Sequence, residues 1–261
     1  MSASLNPIIT LTTDFGQSDG YVGAMQGVIL TICPSAKITH LTHNIPPQNI
    51  RVGAFVLYQT FSFYPSHTVH CVVIDPGVGS ERRAIAVQTR EGIFVGPDNG
   101  VLSLALAETT IRKAVVLTNP TFQVANVSDT FHGRDIFSPA AAHLAKGVPI
   151  DALGDPITDL VQLDFRTTLD AGQARIIHVD HFGNLVLDLR AQDIDDPAAA
   201  TFTVGSTVIT SLSRTFADVE EGELLAYTGS TRNHIEIAVR NGNAAQALDL
   251  QQGDVVQVSL S

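Results

Sequence analysis

The 261-residue sequence contains little charge, and most of that charge is negative. Only 16% of its residues are Asp, Glu, Lys or Arg, and the formal net charge is -11. No cluster of Lys and Arg forms the basic surface that neutralises phosphates, so nucleic acids are excluded as partners. The low charge content predicts an uncharged surface, part of it shared with other subunits.

Cysteines, long apolar runs and targeting segments are also scarce. The two cysteines, Cys33 and Cys71, stand in apolar surroundings and form no CxxC pair, so we expect them to fill core space. No apolar stretch approaches the roughly 20 residues that a membrane-spanning helix needs. No basic segment precedes an apolar run at the N-terminus. We therefore predict a cytoplasmic protein without a membrane anchor.

The motifs of common nucleotide, hydrolase and metal sites are missing too. There is no GxGxxG after the first strand, no Walker loop and no GxSxG elbow. Two histidine pairs, His40 with His43 and His67 with His70, have a spacing of three residues. Within a strand that spacing puts the two side chains on opposite faces, and neither pair has the helical HExxH context of a zinc site. We predict no metal site and no cofactor.

The first half of the sequence alternates short apolar runs with helical patterns. Strands are predicted at IITLTT, KITHLT and TVHCVVID, with helices at 21–31 and 52–63 between them, which is typical of a parallel sheet. From Ala174 the runs become short, β-branched and separated by turns. The predicted fold class is therefore α/β: an N-terminal α/β domain with a largely parallel sheet at 1–165, and a smaller antiparallel, barrel-like β domain at 173–261. The polar segment DFRTTLDAGQ is the candidate linker.

Several apolar runs end in polar residues, at the sheet edge where ligands usually bind. Asp14 follows ITLTT, and its carboxylate either accepts hydrogen bonds from ligand hydroxyls or caps the helix that starts near Gly20. Asp75 ends a strongly apolar strand, and the glycine-rich loop after it either holds the carboxylate in a pocket or forms an Asx turn. Arg82 and Arg83 follow in that loop, and we expect at least one of them to face Asp75.

Two further strand ends and one turn add candidates. FVGPDNG contains Asp98, and TFHGRD contains His132. In the second half, VDHFGNLVLDL places Phe182 and Asn184 between two predicted strands. An Asn side chain both donates and accepts, which suits an adenine edge, and a Phe ring offers a face for stacking. The alternative is an ordinary hairpin turn built from Gly and Asn.

Six segments, in order and across nearly the whole chain, resemble the S-adenosylmethionine hydroxide adenosyltransferases: TTDFG, DPGVGSERR, GPDNGVL, FHGRDIFSPAAAHL, DHFGN and EIAVRNGNAA. That family also contains the 5′-halo-5′-deoxyadenosine synthases. The resemblance implies an α/β domain, a smaller β domain, and a homotrimer with active sites between neighbouring subunits. It implies that S-adenosylmethionine is the substrate, hydrolysed to adenosine and methionine by water that attacks the ribose 5′ carbon.

The same resemblance assigns the water to three residues of the first half. Asp75, Arg82 and His132 stand where the hydrolytic members have the Asp, Arg and His that handle it. Asp14 is then the residue that holds the ribose hydroxyls.

In the second half the resemblance assigns adenine to Asn184 and Phe182, and the ammonium group of the methionine part to Asp180. Where relatives read Asn-Ser followed by a glycine, this chain has GSTRN at 229–233. Ser230 and Arg232 are therefore its candidates for the methionine carboxylate.

Three other functions remain as alternatives. A halide-dependent 5′-halo-5′-deoxyadenosine synthase is disfavoured because a halide pocket should avoid a nearby carboxylate. A non-catalytic adenosine-binding sensor is disfavoured by the complete set of Asp75, Arg82 and His132. A metal-dependent hydrolase is the third alternative.

Overall fold

The computed structural model describes residues 6–165, 172–205 and 207–259. Two compact units divide the chain, Met1–Leu163 and Asp164–Ser261. Most of the predicted linker at 164–173 lies outside the described residues, as do the first five residues of the N-terminus. The roles assigned to the two halves, water handling in the first and adenine and methionine contacts in the second, stay predictions.

The first unit is built on a six-stranded sheet with the order β2-β1-β3-β5-β4-β6. Its strands are β1 (Ile8–Thr13), β2 (Lys37–Thr42), β3 (Val69–Val73), β4 (Ala84–Thr89), β5 (Ile93–Pro97) and β6 (Ile111–Val116). β1 runs parallel to β2 and β3, and β3 runs parallel to β5, whereas β4 is antiparallel to both of its neighbours. The predicted, largely parallel sheet is confirmed.

Helices cover both faces of this sheet. They are α1 (Tyr21–Ile32), α2 (Ile50–Thr60), α3 (Ser103–Ala107) and α4 (Ser138–Ala145), with 3-10 turns at Phe61–Phe63, Pro120–Phe122 and Ile150–Ala152. Alternate residues of β3 point to different cores: Cys71 packs with the side of α1 and α4, and Val72 with the side of α2 and α3. A strand buried on both faces must be apolar throughout, which explains the unbroken run that precedes Asp75. Both cysteines are buried, as expected.

The second unit is a seven-stranded antiparallel sheet with the order β10-β9-β13-β7-β8-β12-β11. Its strands are β7 (Gln173–Val179), β8 (Leu185–Arg190), β9 (Thr201–Val204), β10 (Thr207–Thr210), β11 (Leu224–Thr228), β12 (His234–Val239) and β13 (Val255–Ser259). Helix α5 (Ala244–Leu248) and 3-10 turns at Ala191–Asp193 and Phe216–Asp218 complete it. A bridge between Ser213 and Tyr227 brings the two edges together, so the sheet nearly closes and the predicted barrel-like domain is confirmed. None of the helices in the described ranges is long and apolar enough to cross a membrane.

Asp98, at the end of β5, connects three parts of the first unit. Its carboxylate accepts a hydrogen bond from Arg83 Nε at 2.8 Å and another from the Val161 N–H at 2.9 Å. The Asp98 side chain is only 2% exposed, whereas Asp159, a second partner of Arg83, is 78% exposed. Asp98 therefore holds the end of the unit against the sheet and has a structural role.

We expect Asp98→Ala to lower the free energy of unfolding by about 2–3 kcal/mol, because the Val161 N–H and the Arg83 guanidinium both lose a buried acceptor. Asp159→Ala is the matched control, since it removes an exposed partner of the same guanidinium and should leave stability nearly unchanged. Urea unfolding followed by circular dichroism measures both variants. Equal losses would contradict the assignment of Asp98 as the buried anchor.

Candidate active site

The topology of the sheet brings Asp75 and Arg82 to the same edge. Asp75 follows the carboxyl end of β3, and Arg82 precedes β4, which runs in the opposite direction. Arg82 Nε donates to Asp75 Oδ1 at 2.8 Å, and its Nη2 donates to Asp75 Oδ2. The side chains of Arg82 and Asp75 are 10% and 5% exposed, so this bidentate ion pair is well shielded from water.

His132 completes the cluster through Arg82. Arg82 Nη2 lies 2.7 Å from His132 Nδ1. A guanidinium nitrogen can only donate, so His132 Nδ1 must accept and the ring must carry its proton on Nε2. Arg82 thus fixes both the position and the tautomer of the imidazole.

His132 lies at the start of a π-helical segment. His132 immediately precedes the π-helical segment Gly133–Phe137, which leads into α4. Behind it, Asp135 is fully buried and accepts hydrogen bonds from the Ser128 N–H and Oγ, at 2.9 and 2.7 Å. The Arg82 guanidinium lies 5.3 Å from the centre of the buried Phe137 ring. Such π-helical turns occur often at functional sites because they shift side chains out of the regular helical positions.

The electrostatics of the cluster keep His132 neutral. Burial, followed by the positive charge of Arg82, lowers the pKa of His132 below its ordinary value of 6.5, and the opposing effect of Asp75 is smaller. For Asp135, burial alone would raise the pKa, but the hydrogen bonds from Arg134 and Ser128 outweigh it and lower the pKa. The cluster therefore holds one paired carboxylate, one paired guanidinium and a neutral imidazole at neutral pH.

A cavity of about 460 Å³ opens beside this cluster. Asp75 and His132 line it together with the rings of Phe15, Tyr21 and Phe131. The centres of the three rings lie 5.3 to 5.8 Å from one another. The cavity therefore has the size of a small-molecule site and combines an aromatic wall with a few polar groups.

Asp14 lies on the loop after β1 and does not cap α1. Its Oδ2 accepts a hydrogen bond from the Gln48 N–H at 2.7 Å, while Gly20, at the start of α1, has no side-chain cap. The capping alternative for Asp14 is therefore wrong, because the loop between β2 and α2 offers a backbone donor that the sequence pattern does not reveal.

The prediction that His40 and His43 point to opposite faces is also wrong. β2 ends at Thr42, and its register with β1 shifts near that end, so His43 turns back toward His40. His40 Nδ1 and His43 Nε2 lie 2.6 Å apart. Among the residues that the structure describes, no group of three or more His, Cys, Asp or Glu side chains is placed to hold a metal ion.

In the second unit, Asp180 organises the turn between β7 and β8. Its Oδ1 accepts hydrogen bonds from the N–H groups of Phe182 and Asn184, at 2.9 and 2.8 Å, and its Oδ2 accepts from Asn184 Nδ2 at 2.9 Å. Asn184 is buried, and Phe182 is 70% exposed. The hairpin alternative is correct for the backbone, and the same turn exposes the Phe182 ring.

The loop at 229–233 rests on a buried acid that the sequence patterns do not indicate. Tyr227 Oη donates a hydrogen bond to Glu236 Oε2, and the Glu236 carboxyl lies against Gly229, where a Cβ would come within 2.0 Å of it. Burial, with a contribution from Asp180, raises the pKa of Glu236. Ser230 is exposed on this loop, and the Ser230 carbonyl oxygen accepts a hydrogen bond from the Arg232 N–H at 3.1 Å.

The described structure thus brings Asp75, Arg82 and His132 together in the first unit, and Asp180 with Asn184 in the second. Sequence reasoning missed Phe15 and Phe131 of the cavity wall, although each is adjacent in sequence to a residue that it selected. Adjacency to a selected residue is the signal that would have found them. The prediction that His132 follows a strand is wrong, because the strand before it ends at Val116 and His132 leads into the π-helical segment.

The chain matches models of a known protein family. A family model described as the SAM hydroxide adenosyltransferase N-terminal domain matches residues 9–154, and one described as the SAM hydroxide adenosyltransferase C-terminal domain matches residues 174–257. A crystal structure of an uncharacterized conserved protein from Thermotoga maritima has a TM-score of 0.89 and 35% sequence identity, covering 96% of this chain and 100% of that chain.

Named relatives fall into two groups. The chain is 41% identical to an (R)-S-adenosyl-L-methionine hydrolase of Salinispora tropica, covering 97% of this chain and 98% of that protein. A protein of the same name from Thermus thermophilus is 36% identical, covering 97% and 100%. A fluorinase of an Actinoplanes species is more distant, at 25% identity over 99% of each chain. Since both family models match and together cover most of its length, the chain belongs to the S-adenosylmethionine (SAM) hydroxide adenosyltransferase family.

Proposed function

We propose that the protein hydrolyses S-adenosylmethionine to adenosine and methionine, with water displacing methionine from the ribose 5′ carbon. The observation that carries this proposal is the hydrogen-bonded set of Asp75, Arg82 and His132 at the wall of the 460 Å³ cavity. Relatives that are 36–41% identical over nearly their whole length are named for this reaction.

The energetically costly part of this reaction is the activation of water as the nucleophile. A sulfonium leaves as a neutral thioether, so the leaving group needs no general acid. Transferring a proton from water, with a pKa of about 15.7, to an ordinary aspartate, with a pKa of about 3.9, costs about 16 kcal/mol. Free hydroxide is therefore not formed in advance by a carboxylate, and the proton must leave the water as the oxygen attacks.

The tautomer of His132 indicates which side chain of the cluster orients the water and which accepts its proton. Its Nε2–H is a donor, so the imidazole orients the water and does not accept the proton. Asp75 is the anionic acceptor of the cluster. As the water oxygen bonds to C5′, the C5′–S bond breaks, its electron pair stays on sulfur, and one water proton passes to the Asp75 carboxylate. The Arg82 guanidinium stabilises the hydroxide-like charge that develops in between.

We assign the remaining contacts as the resemblance implies. Asp14 binds the ribose hydroxyls, Asn184 and Phe182 bind adenine, and Asp180 binds the ammonium group. The oxygen atom of the buried Asn184 side chain supports the adenine assignment, because its NH₂ group is already held by Asp180. The 229–233 loop, with Ser230 and Arg232, is assigned to the methionine carboxylate.

We also propose a homotrimer, which the low charge content of 16% supports. Light scattering coupled to gel filtration should give a mass near three times 27.8 kDa. A monomeric mass would contradict the proposal. The cytoplasmic location remains a prediction.

A product assay tests the proposed reaction. The names of the hydrolase relatives specify the R form, which describes the configuration at the sulfonium sulfur. The two sulfonium epimers are therefore supplied separately, with and without chloride or fluoride, and the products are separated by chromatography. We expect adenosine and methionine in every arm that turns over. A 5′-halo nucleoside would establish the halide alternative, and tight adenosine binding without turnover would establish the sensor.

We expect Asp75→Ala and His132→Ala to lower kcat by about 10²- to 10⁴-fold, because each removes a group that acts only as the water attacks. Affinity for adenosine should change little. His143→Gln is the control, since His143 lies on α4, where it contacts Phe122 and does not line the cavity. Wild-type turnover in either Ala variant would remove the cluster from the mechanism.

The pKa of His132 should respond in opposite directions to its two neighbours. Arg82→Gln removes a charge that lowers this pKa, so the pKa should rise, whereas Asp75→Asn removes a charge that raises it, so the pKa should fall further. Nuclear magnetic resonance titration of labelled histidine, assigned with His132→Gln, measures both shifts. An unchanged pKa in both variants would show that the three side chains do not interact in solution.

A further inference from the structure

His43 holds the loop that carries Asp14 at both of its ends. The backbone carbonyl of His43 accepts a hydrogen bond from the Gly16 N–H at 2.8 Å. The His43 ring bonds through Nδ1 to Thr13 Oγ1, also at 2.8 Å. Thr13 and Gly16 flank Asp14 and Phe15, so a single residue of the neighbouring loop fixes the turn on either side of them.

A chain of side chains continues from His43 to the surface. Gln26 Nε2 lies 2.8 Å from His40 Nε2, and His40 Nδ1 lies 2.6 Å from His43 Nε2. With the Gln26 amide nitrogen facing His40, one proton arrangement satisfies all the contacts: Gln26 donates to His40, His40 Nδ1–H donates to His43, and His43 Nδ1–H donates to Thr13 Oγ1. The same hydroxyl oxygen accepts the Phe15 N–H at 3.2 Å.

The two rings differ in their surroundings. His40 is exposed, whereas His43 is only 3% exposed. Burial, followed by the charge on His40, lowers the pKa of His43 to about 4. The inner ring therefore stays neutral in ordinary buffers, so it accepts through Nε2 and donates to Thr13 through Nδ1.

The Asp14 carboxylate itself is held by the loop to which His43 belongs. Asp14 Oδ2 is held by the Gln48 N–H at 2.7 Å, on the same loop that begins with His43. Both contacts tie the turn after β1 to the loop after β2. A carboxylate fixed in this way offers Oδ1 to a ligand without first ordering the loop, which lowers the entropic cost of binding.

We propose that His43 is a positioning residue for ribose recognition, acting through Thr13 to aim the Asp14 carboxylate at the nucleoside hydroxyls. The inference rests on the proposed function, because it takes adenosine as the ligand and Asp14 as its ribose contact. It adds that the specificity for ribose depends on a residue behind the Asp14 loop, of which Phe15 lines the cavity beside the cluster.

The strand β1 supplies a matched pair of variants. Thr10 and Thr13 are both fully buried, and each bonds through Oγ1 to a histidine Nδ1, Thr10 to His70 at 2.9 Å and Thr13 to His43. Thr13→Val and Thr10→Val each remove a bond to a histidine from the same strand with similar volume, and Thr13→Val also removes the acceptor of the Phe15 N–H. Only the first bond adjoins the Asp14 loop, so a purely structural effect would be common to both variants.

The readout is the ratio of the Kd values for 2′,3′-dideoxyadenosine and adenosine, measured by calorimetry on the full chain. In the wild type we expect adenosine to bind at least about tenfold more tightly, since hydroxyls bonded to a carboxylate contribute that much. In Thr13→Val the ratio should fall below about threefold, while Thr10→Val should keep the wild-type ratio. A retained ratio in Thr13→Val would overturn the proposal.

Two variants of His43 separate its ring nitrogens. An Asn amide occupies the place of Nδ1 and a Gln amide that of Nε2, so His43→Asn should keep the ratio and His43→Gln should lose it. For the hydrolysis, His43→Gln should raise KM by about tenfold and leave kcat within about threefold, because the loss is one of uniform binding. A loss confined to kcat would overturn the proposal.

The wild-type measurement distinguishes a failure of the proposed function from a failure of the role proposed for His43. If wild-type protein binds neither nucleoside, the proposed function itself fails. If it binds adenosine with the expected preference and His43→Gln retains that preference, only the role of His43 is overturned. Thermal unfolding of each variant confirms that the protein measured is folded.

Discussion

A guanidinium group only donates hydrogen bonds, and the candidate active site depends on that constraint at Arg82. One nitrogen of Arg82 serves both the Asp75 carboxylate and His132 Nδ1, so the carboxylate is held in place and the imidazole is kept as a neutral Nε2–H donor. A Lys side chain would supply the charge without the planar geometry that fixes two acceptors at once. The proposed division of roles between proton acceptor and water-orienting donor rests on this single residue.

In each of the two units, a carboxylate organises a turn that carries candidate site residues. Asp135 organises the turn that delivers His132, and Asp180 organises the turn that presents Asn184. In each case a carboxylate accepts several backbone or side-chain donors within its own loop, which makes the loop rigid at little cost in exposed surface. The groups that we propose to face the ligand are therefore held in place by contacts within the protein.

Apolar runs and their ends predicted much of the fold and of the cluster. The run before Asp75 is buried on both faces, so its pattern is strong and its end is well defined. β6 is different, because the first half of IRKAVV is exposed and shows no clear period. The π-helical segment after His132 has the composition of an ordinary helix start. Residue patterns do not encode the contact of His40 with His43, since it depends on how β2 ends against β1.

Water is the proposed nucleophile at the ribose 5′ carbon, and hydrolysis in ¹⁸O-enriched water tests this most directly. Mass spectrometry of the products should find the heavy oxygen in the 5′ hydroxyl of adenosine and none added to methionine. Adenosine without the label, or label in homoserine formed together with 5′-methylthioadenosine, would contradict the account.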